Sequence, residues 1–126
     1  MAGKIIADTL EHSTAGSVTT NYVVKGSAKA WANIDGTGTV SARDSLNTSS
    51  ITDNATGDYS TNFTNSLDNV NGVASSFAGT GTVTGQQNSQ NFQGLTTSAL
   101  RTLTNVSGTG AFDRDYILHL VFGDLA

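Results

Sequence analysis

The chain has 126 residues, no cysteine, no proline and a formal net charge of −4. That length suits one domain, and the missing thiols exclude disulfide staples and thiolate metal sites. An acidic balance without a Lys/Arg cluster argues against a nucleic-acid partner, and no apolar run is long enough for a signal peptide or a membrane-spanning helix.

Ser, Thr, Asn and Gly make up nearly half of the chain, yet Val, Ile, Thr, Tyr and Phe recur in short alternating runs. Short strands joined by polar turns are the expected outcome, so an all-β fold is predicted. Residues 1–16, with Lys4, Ile5, Ile6 and Leu10 at their centre, read as a first strand or an N-terminal arm, and residues 17–126 as one β-sandwich domain. Val18, Thr20, Tyr22 and Val24 alternate as a second strand before Gly26.

Ala28, Ala30, Ala32 and Ile34 alternate with Lys29, Trp31 and Asn33. The small face expects another backbone close by, and the lone tryptophan supplies bulk on the opposite face. Asp35-Gly36 is a hairpin signal, and Val40, Ala42 and Leu46 continue the alternation on the next strand. Asp53 to Asp58 is a turn by composition, after which Tyr59, Thr61 and Phe63 share one face of a third strand. A turn at Val70 to Val73 leads to short strands at Ser75 to Phe77 and Thr80 to Thr84. Gly85 to Asn91 is the most polar segment and reads as a solvent-exposed loop. Leu95 to Thr104 fits either a strand or a short helix.

The last strand has Phe112, Tyr116, Leu118, Leu120 and Phe122 on one face, and Asp113, Asp115, Ile117, His119 and Val121 on the other. A strand apolar on both faces is expected at the centre of a sheet, beneath a second sheet or a neighbouring subunit. With two such layers the chain is expected to be an antiparallel β-sandwich or jelly-roll-like knob.

The search for chemistry yields little. Asp113 and Asp115 on one strand face would suit glycosidic cleavage, or calcium binding with help from turn carbonyls, but salt links and solvated turns are the commoner use of such a pair. His12 and His119 are the two imidazoles and lie far apart in sequence. Trp31 reads first as a core residue and second as a platform for a sugar. No nucleophile elbow, phosphate loop or dinucleotide fingerprint is present, so neither an enzyme nor a cofactor is expected.

Lys29 to Phe63 also resembles a module recurrent in small virion and tail-fibre-like proteins of tailed bacteriophages. The matching residues are Lys29, Trp31, Asn33, Gly36, Thr37, Gly38, Arg43, Ser45, Asn47, Ser49 to Asn54, Thr56 to Tyr59, Asn62 and Phe63. The closing hydrophobic strand ending in Phe122-Gly123-Asp124 is a looser likeness, and the chain departs from the pattern at Thr64 to Asp68, where relatives carry a Met-Pro turn.

The resemblance implies a structural virion protein, a small tail fibre or receptor-binding tip on the tail or capsid surface. It implies docking to another virion protein through Lys4, Ile5, Ile6 and Leu10, and contact with a host glycan through Gln86, Gln87, Asn88, Gln90 and Asn91. A capsid decoration protein or head fibre is the alternative. Proline and lysine usually guard sheet edges, so a β-rich chain with no proline and few lysines is expected to pair its sheets with other copies. The resemblance points to a homotrimer.

Overall fold

A computed structural model describes residues 3–79, 89–106 and 110–126. In chain order the elements are β1 (Thr9–His12), β2 (Gly16–Thr19), α1 (Thr20–Gly26), β3 (Ala28–Asp35), β4 (Ser41–Leu46), β5 (Thr48–Ala55), β6 (Asp58–Phe63), β7 (Val73–Gly79), β8 (Ser89–Leu95), β9 (Ala99–Val106), β10 (Gly110–Ala111) and β11 (Tyr116–Phe122). Two antiparallel sheets pack together as an all-β sandwich.

Sheet I runs β4-β3-β11-β7. In sheet II, β5 pairs β6 and β6 pairs β9. Thr102 pairs with Tyr59 and Phe92, and Asn105 with Ala111 and Ser89. A strand has two edges, so β8 takes one edge of β9 while β6 and then β10 share the other. Among the described residues, β1–β2, β3–β4, β5–β6, β8–β9 and β9–β10 keep consecutive strands side by side in one sheet.

Local chemistry sets the crossings and turns. Between β5 and β6 the turn is only Thr56 and Gly57, with Gly57 at φ +71°, so Asp53 to Ala55 belong to the strand rather than to a longer turn. Between β4 and β5 the chain changes sheets at Asn47, which sits at φ +54°, a conformation asparagine tolerates better than most residues. The Asn47 side chain fixes this corner by accepting the Asn65 backbone N–H at 2.7 Å and donating to the Asn65 carbonyl at 2.9 Å.

Inside the sandwich the alanine face behaves as its small side chains require. Ala30, Ala32 and Ile34 are buried against sheet II. The core falls into two apolar clusters: Ala30, Phe63, Leu67, Leu100 and Val121 at one end, and Ala32, Ile34, Tyr59, Ala78 and Ile117 at the other. Between them, Thr61, Thr102 and His119 form a buried polar layer. The closing strand β11 is central in its sheet, with β3 on one side and β7 on the other, and it buries Ile117, His119 and Val121. Leu95 to Thr104 resolves into the end of β8, a turn and most of β9, with no helix.

The first 26 residues differ from the sequence expectation. β1 and β2 pair as a hairpin, Thr9 with Thr19 through His12 with Gly16, so a boundary at residue 16 would cut it in two. The alternation of Val18, Thr20, Tyr22 and Val24 does not continue as a strand, because residues 20–26 form the helix α1. Among the described residues no strand pairs with this stretch, whereas the turn's carbonyls find a donor. The Lys29 ammonium bonds the Val24 carbonyl and, at 2.8 Å each, the carbonyl and hydroxyl of Ser27. Lys29 is itself buried, and these acceptors use the three hydrogens of its ammonium. A cation is also favourable at a helix C-terminus.

Candidate functional site

Candidate contact chemistry lies at three places: the end of the sandwich around Asp113, the polar layer around His119, and the N-terminal module. Asp113 and Asp115 do not sit on one strand face, because β11 begins only at Tyr116 and both lie in the lead-in. Asp113 is committed elsewhere. Its Oδ1 accepts the Gly57 backbone N–H at 2.8 Å and the Tyr59 hydroxyl at 2.6 Å. The Tyr59 oxygen also lies 2.9 Å from the Gly36 carbonyl. With one proton to give, the hydroxyl favours the charged and nearer Asp113. Burial first, then the Asp113 carboxylate, hold the Tyr59 phenol well above its ordinary range.

Arg43 closes the same end. Asp44 pairs with Asn33 and Ala42 with Ile34, leaving Arg43 as the extra residue of a β-bulge. The bulge explains why Ala42 shares a side with inward Ile34 while Leu46, paired with Trp31, lies on the outer face. The Arg43 guanidinium stacks 4.3 Å over the Tyr116 ring. It also bonds the Asp35 carboxylate at 2.6 Å, the Ile34 carbonyl at 3.2 Å and the Asp115 carbonyl. The donors and acceptors here tie β3, β4, β6 and the lead-in to β11 together, which is a structural use of charge.

His119 bridges the two sheets. Its Nδ1 lies 2.7 Å from the Thr61 hydroxyl and its Nε2 lies 2.8 Å from the Thr102 hydroxyl. A neutral imidazole donates from one nitrogen and accepts at the other, and hydroxyls serve either role. Burial pushes its pKa down to about 4, so it is neutral at pH 7. His12 acts locally, accepting the Ala15 N–H at 3.1 Å and the Thr14 N–H at 3.3 Å across the β1–β2 turn. Among the described residues, no three His, Asp or Glu side chains gather as a metal cage, and no helix is long and apolar enough to cross a membrane.

Trp31 is not a core residue. It is half-buried on the outer face of sheet I, because the alanines on either side of it claim the inner face. Ile5 and Ile6 are 91% and 82% exposed, Leu10 is also exposed, and all three are available to a partner together with Lys4. At the module's far end Lys25 lies 3.9 Å from Asp124, a solvent-exposed ion pair. Beside that contact opens a groove of about 410 Å³ between Lys25, Asn69, Val73 and Phe122. Gln86, Gln87 and Asn88 lie outside the described residues. Gln90 and Asn91 belong to β8, paired with Thr104 and Leu103, and so continue a strand rather than a loop.

No protein-family profile, no curated protein and no solved structure matches this chain.

Two of these arrangements escape a sequence reading. The Asp113–Tyr59 link spans 54 positions and the His119–Thr61 link 58, so neither has a local signal. A polar residue on the otherwise apolar inner face of the last strand is the one available hint of the second.

Proposed function

We propose that this chain is a structural protein of a tailed bacteriophage virion, a small trimeric tail fibre or receptor-binding tip that takes part in host attachment. The observation that carries the reading is the N-terminal module. It presents Ile5, Ile6 and Tyr22 to solvent at 91%, 82% and 72% exposure, and Lys29 of β3 ties the end of the module to the sandwich by bonding Val24 and Ser27. Adjacent exposed apolar side chains of this kind favour a protein partner. The resemblance of Lys29 to Phe63 to the phage module supplies the kind of partner, another virion protein. Host contact is assigned to polar side chains, with the amide-rich sequence Gln86, Gln87 and Asn88 as the candidate for glycan binding. Several copies acting together raise the affinity of weak individual contacts.

The second reading is a capsid decoration protein or head fibre, seated on the shell through the same exposed N-terminal residues, Ile5 and Ile6 among them. Antibody labelling of intact particles separates the two. Label at the tail tip supports the fibre, label over the capsid supports decoration, and particles without the protein overturn both. Ile5→Asp with Ile6→Asp is expected to leave the sandwich folded and to keep the protein off the particle.

A further inference from the structure

We infer that Asn71 is a site of spontaneous covalent modification: its side-chain amide is lost on closing a succinimide with Gly72, which water opens to aspartate and isoaspartate. The inference stands whether or not the chain belongs to a virion. Of the asparagines, Asn71 alone precedes a glycine. Ring closure brings the following backbone nitrogen onto the side-chain Cγ, and a neighbour without a Cβ leaves that approach open.

The structure leaves this pair unguarded. Asn71 is exposed just before β7, and its backbone N–H donates to Asn69 Oδ1 at 2.9 Å, an Asx turn that holds the main chain. Among the described residues its side-chain amide has no hydrogen-bond partner. The amides of Asn47, Asn54 and Asn62, in contrast, are all bonded. Asp35-Gly36 is the protected counterpart, since an aspartate before glycine can close the same ring. There the Gly36 N–H donates to the Arg114 carbonyl at 2.8 Å, and the Asp35 carboxylate accepts from Thr37 and Arg43. No such bond holds the Gly72 N–H among the described residues. Packing also fixes the glycine. A Cβ on Gly72 would run into the Phe122 carbonyl, so the backbones pass too closely for a larger residue.

Water is the one co-reactant. The Gly72 nitrogen gives its proton to solvent and bonds Asn71 Cγ, while Nδ2 leaves as ammonia with a proton taken from solvent. Water then breaks one of the two ring C–N bonds. Attack at Cγ gives aspartate; attack at the Asn71 main-chain carbonyl leaves the chain running through Cβ, as isoaspartate. Either product adds one negative charge to a chain of −4, in the wall of the groove shared with Lys25 and Asp124. Isoaspartate also lengthens the main chain by one atom where β7 begins to pair, Val73 with Phe122, so the first pairs of β7 on β11 should loosen.

The test is incubation of full-length protein at mildly alkaline pH, read by anion exchange and by mass spectrometry of its peptides. The Asn71 peptide should gain the mass difference between NH and O, at a rate that rises in proportion to hydroxide. Isoaspartate should appear with it, detected by enzymatic methylation. Asn71→Gln, which would need a larger ring, and Asn71→Ser should each abolish the more anionic species without changing the far-UV spectrum. Asp35-Gly36 should isomerise only when the incubation is repeated in urea. Asn71 left intact in the folded protein, whether or not urea releases it, overturns the inference. So does the same anionic species arising undiminished from both Asn71 variants, which would place the reaction elsewhere.

Discussion

Acidification should unlock the polar layer at the centre of the sandwich. In the folded chain burial holds the His119 imidazole at about 4, whereas in the unfolded chain it titrates near ~6.5. Between those values the unfolded chain binds more protons, so stability must fall as pH falls. The contribution is fully present above pH ~6.5, drains away down to pH ~4 and changes no further below that. The gap corresponds to about 3 kcal/mol, a large share of the stability of a domain this size. Asp35 and Asp58 act in a different window. Hydrogen bonds from Thr37 lower the first carboxyl and those from Arg101 the second, so their contributions are lost only as pH falls below ~4. Urea unfolding followed by far-UV circular dichroism at pH 7, 5.5 and 4.5, at one protein concentration, isolates the histidine when His119→Gln is run beside it. The unaltered protein should lose about 2 kcal/mol more than the variant across that interval, most of the full gap. Parallel pH profiles for the two would refute the claim that a neutral imidazole is locked between Thr61 and Thr102.

The remaining expectations concern single contacts. Thr102→Val strips His119 Nε2 of its partner while keeping the side-chain shape, and should cost roughly 1–3 kcal/mol in urea unfolding at pH 7. Gly57→Ala should be harsher than an ordinary Gly→Ala change. The residue sits at φ +71°, and an added Cβ would lie 2.8 Å from the carbonyls of Phe112 and Thr104; a clear fall in melting temperature checks it. Tyr59→Phe and Asp113→Ala should each destabilise by about 1–2 kcal/mol, with the double variant costing less than the sum, because the two side chains share one hydrogen bond. Lys29→Met should leave the sandwich folded but accelerate amide exchange over residues 20–26, since the Val24 carbonyl of α1 and the Ser27 carbonyl just beyond it lose the ammonium that bonds them.

Much of the sandwich is legible because period-two patterns report directly which side of a strand is crowded. The Ala28 to Ile34 stretch shows its inward face in the size of its side chains, and the closing strand shows its central place by being apolar on both faces. What escapes is whatever depends on a partner strand. The bulge at Arg43 adds one residue to β4 relative to β3, so Ala42 and Leu46, equal in parity, end on opposite sides. The alternation from Val18 to Val24 looks like a strand, but a strand needs a neighbour, and Lys29 stabilises the helical turn instead. Asp113 and Asp115 seem paired only if β11 starts early; Gly57 and Tyr59 draw Asp113 away. Trp31 reads as a core residue because tryptophan is large, yet the inner face of β3 carries Ala30, Ala32 and Ile34 instead.

An image of the whole phage particle by electron cryomicroscopy tests the central claim most directly. The proposed function predicts three-fold knobs on the tail or capsid surface, with the exposed residues Ile5 and Ile6 against the protein beneath. Isolated single copies, or particles in which the chain is missing, would contradict it.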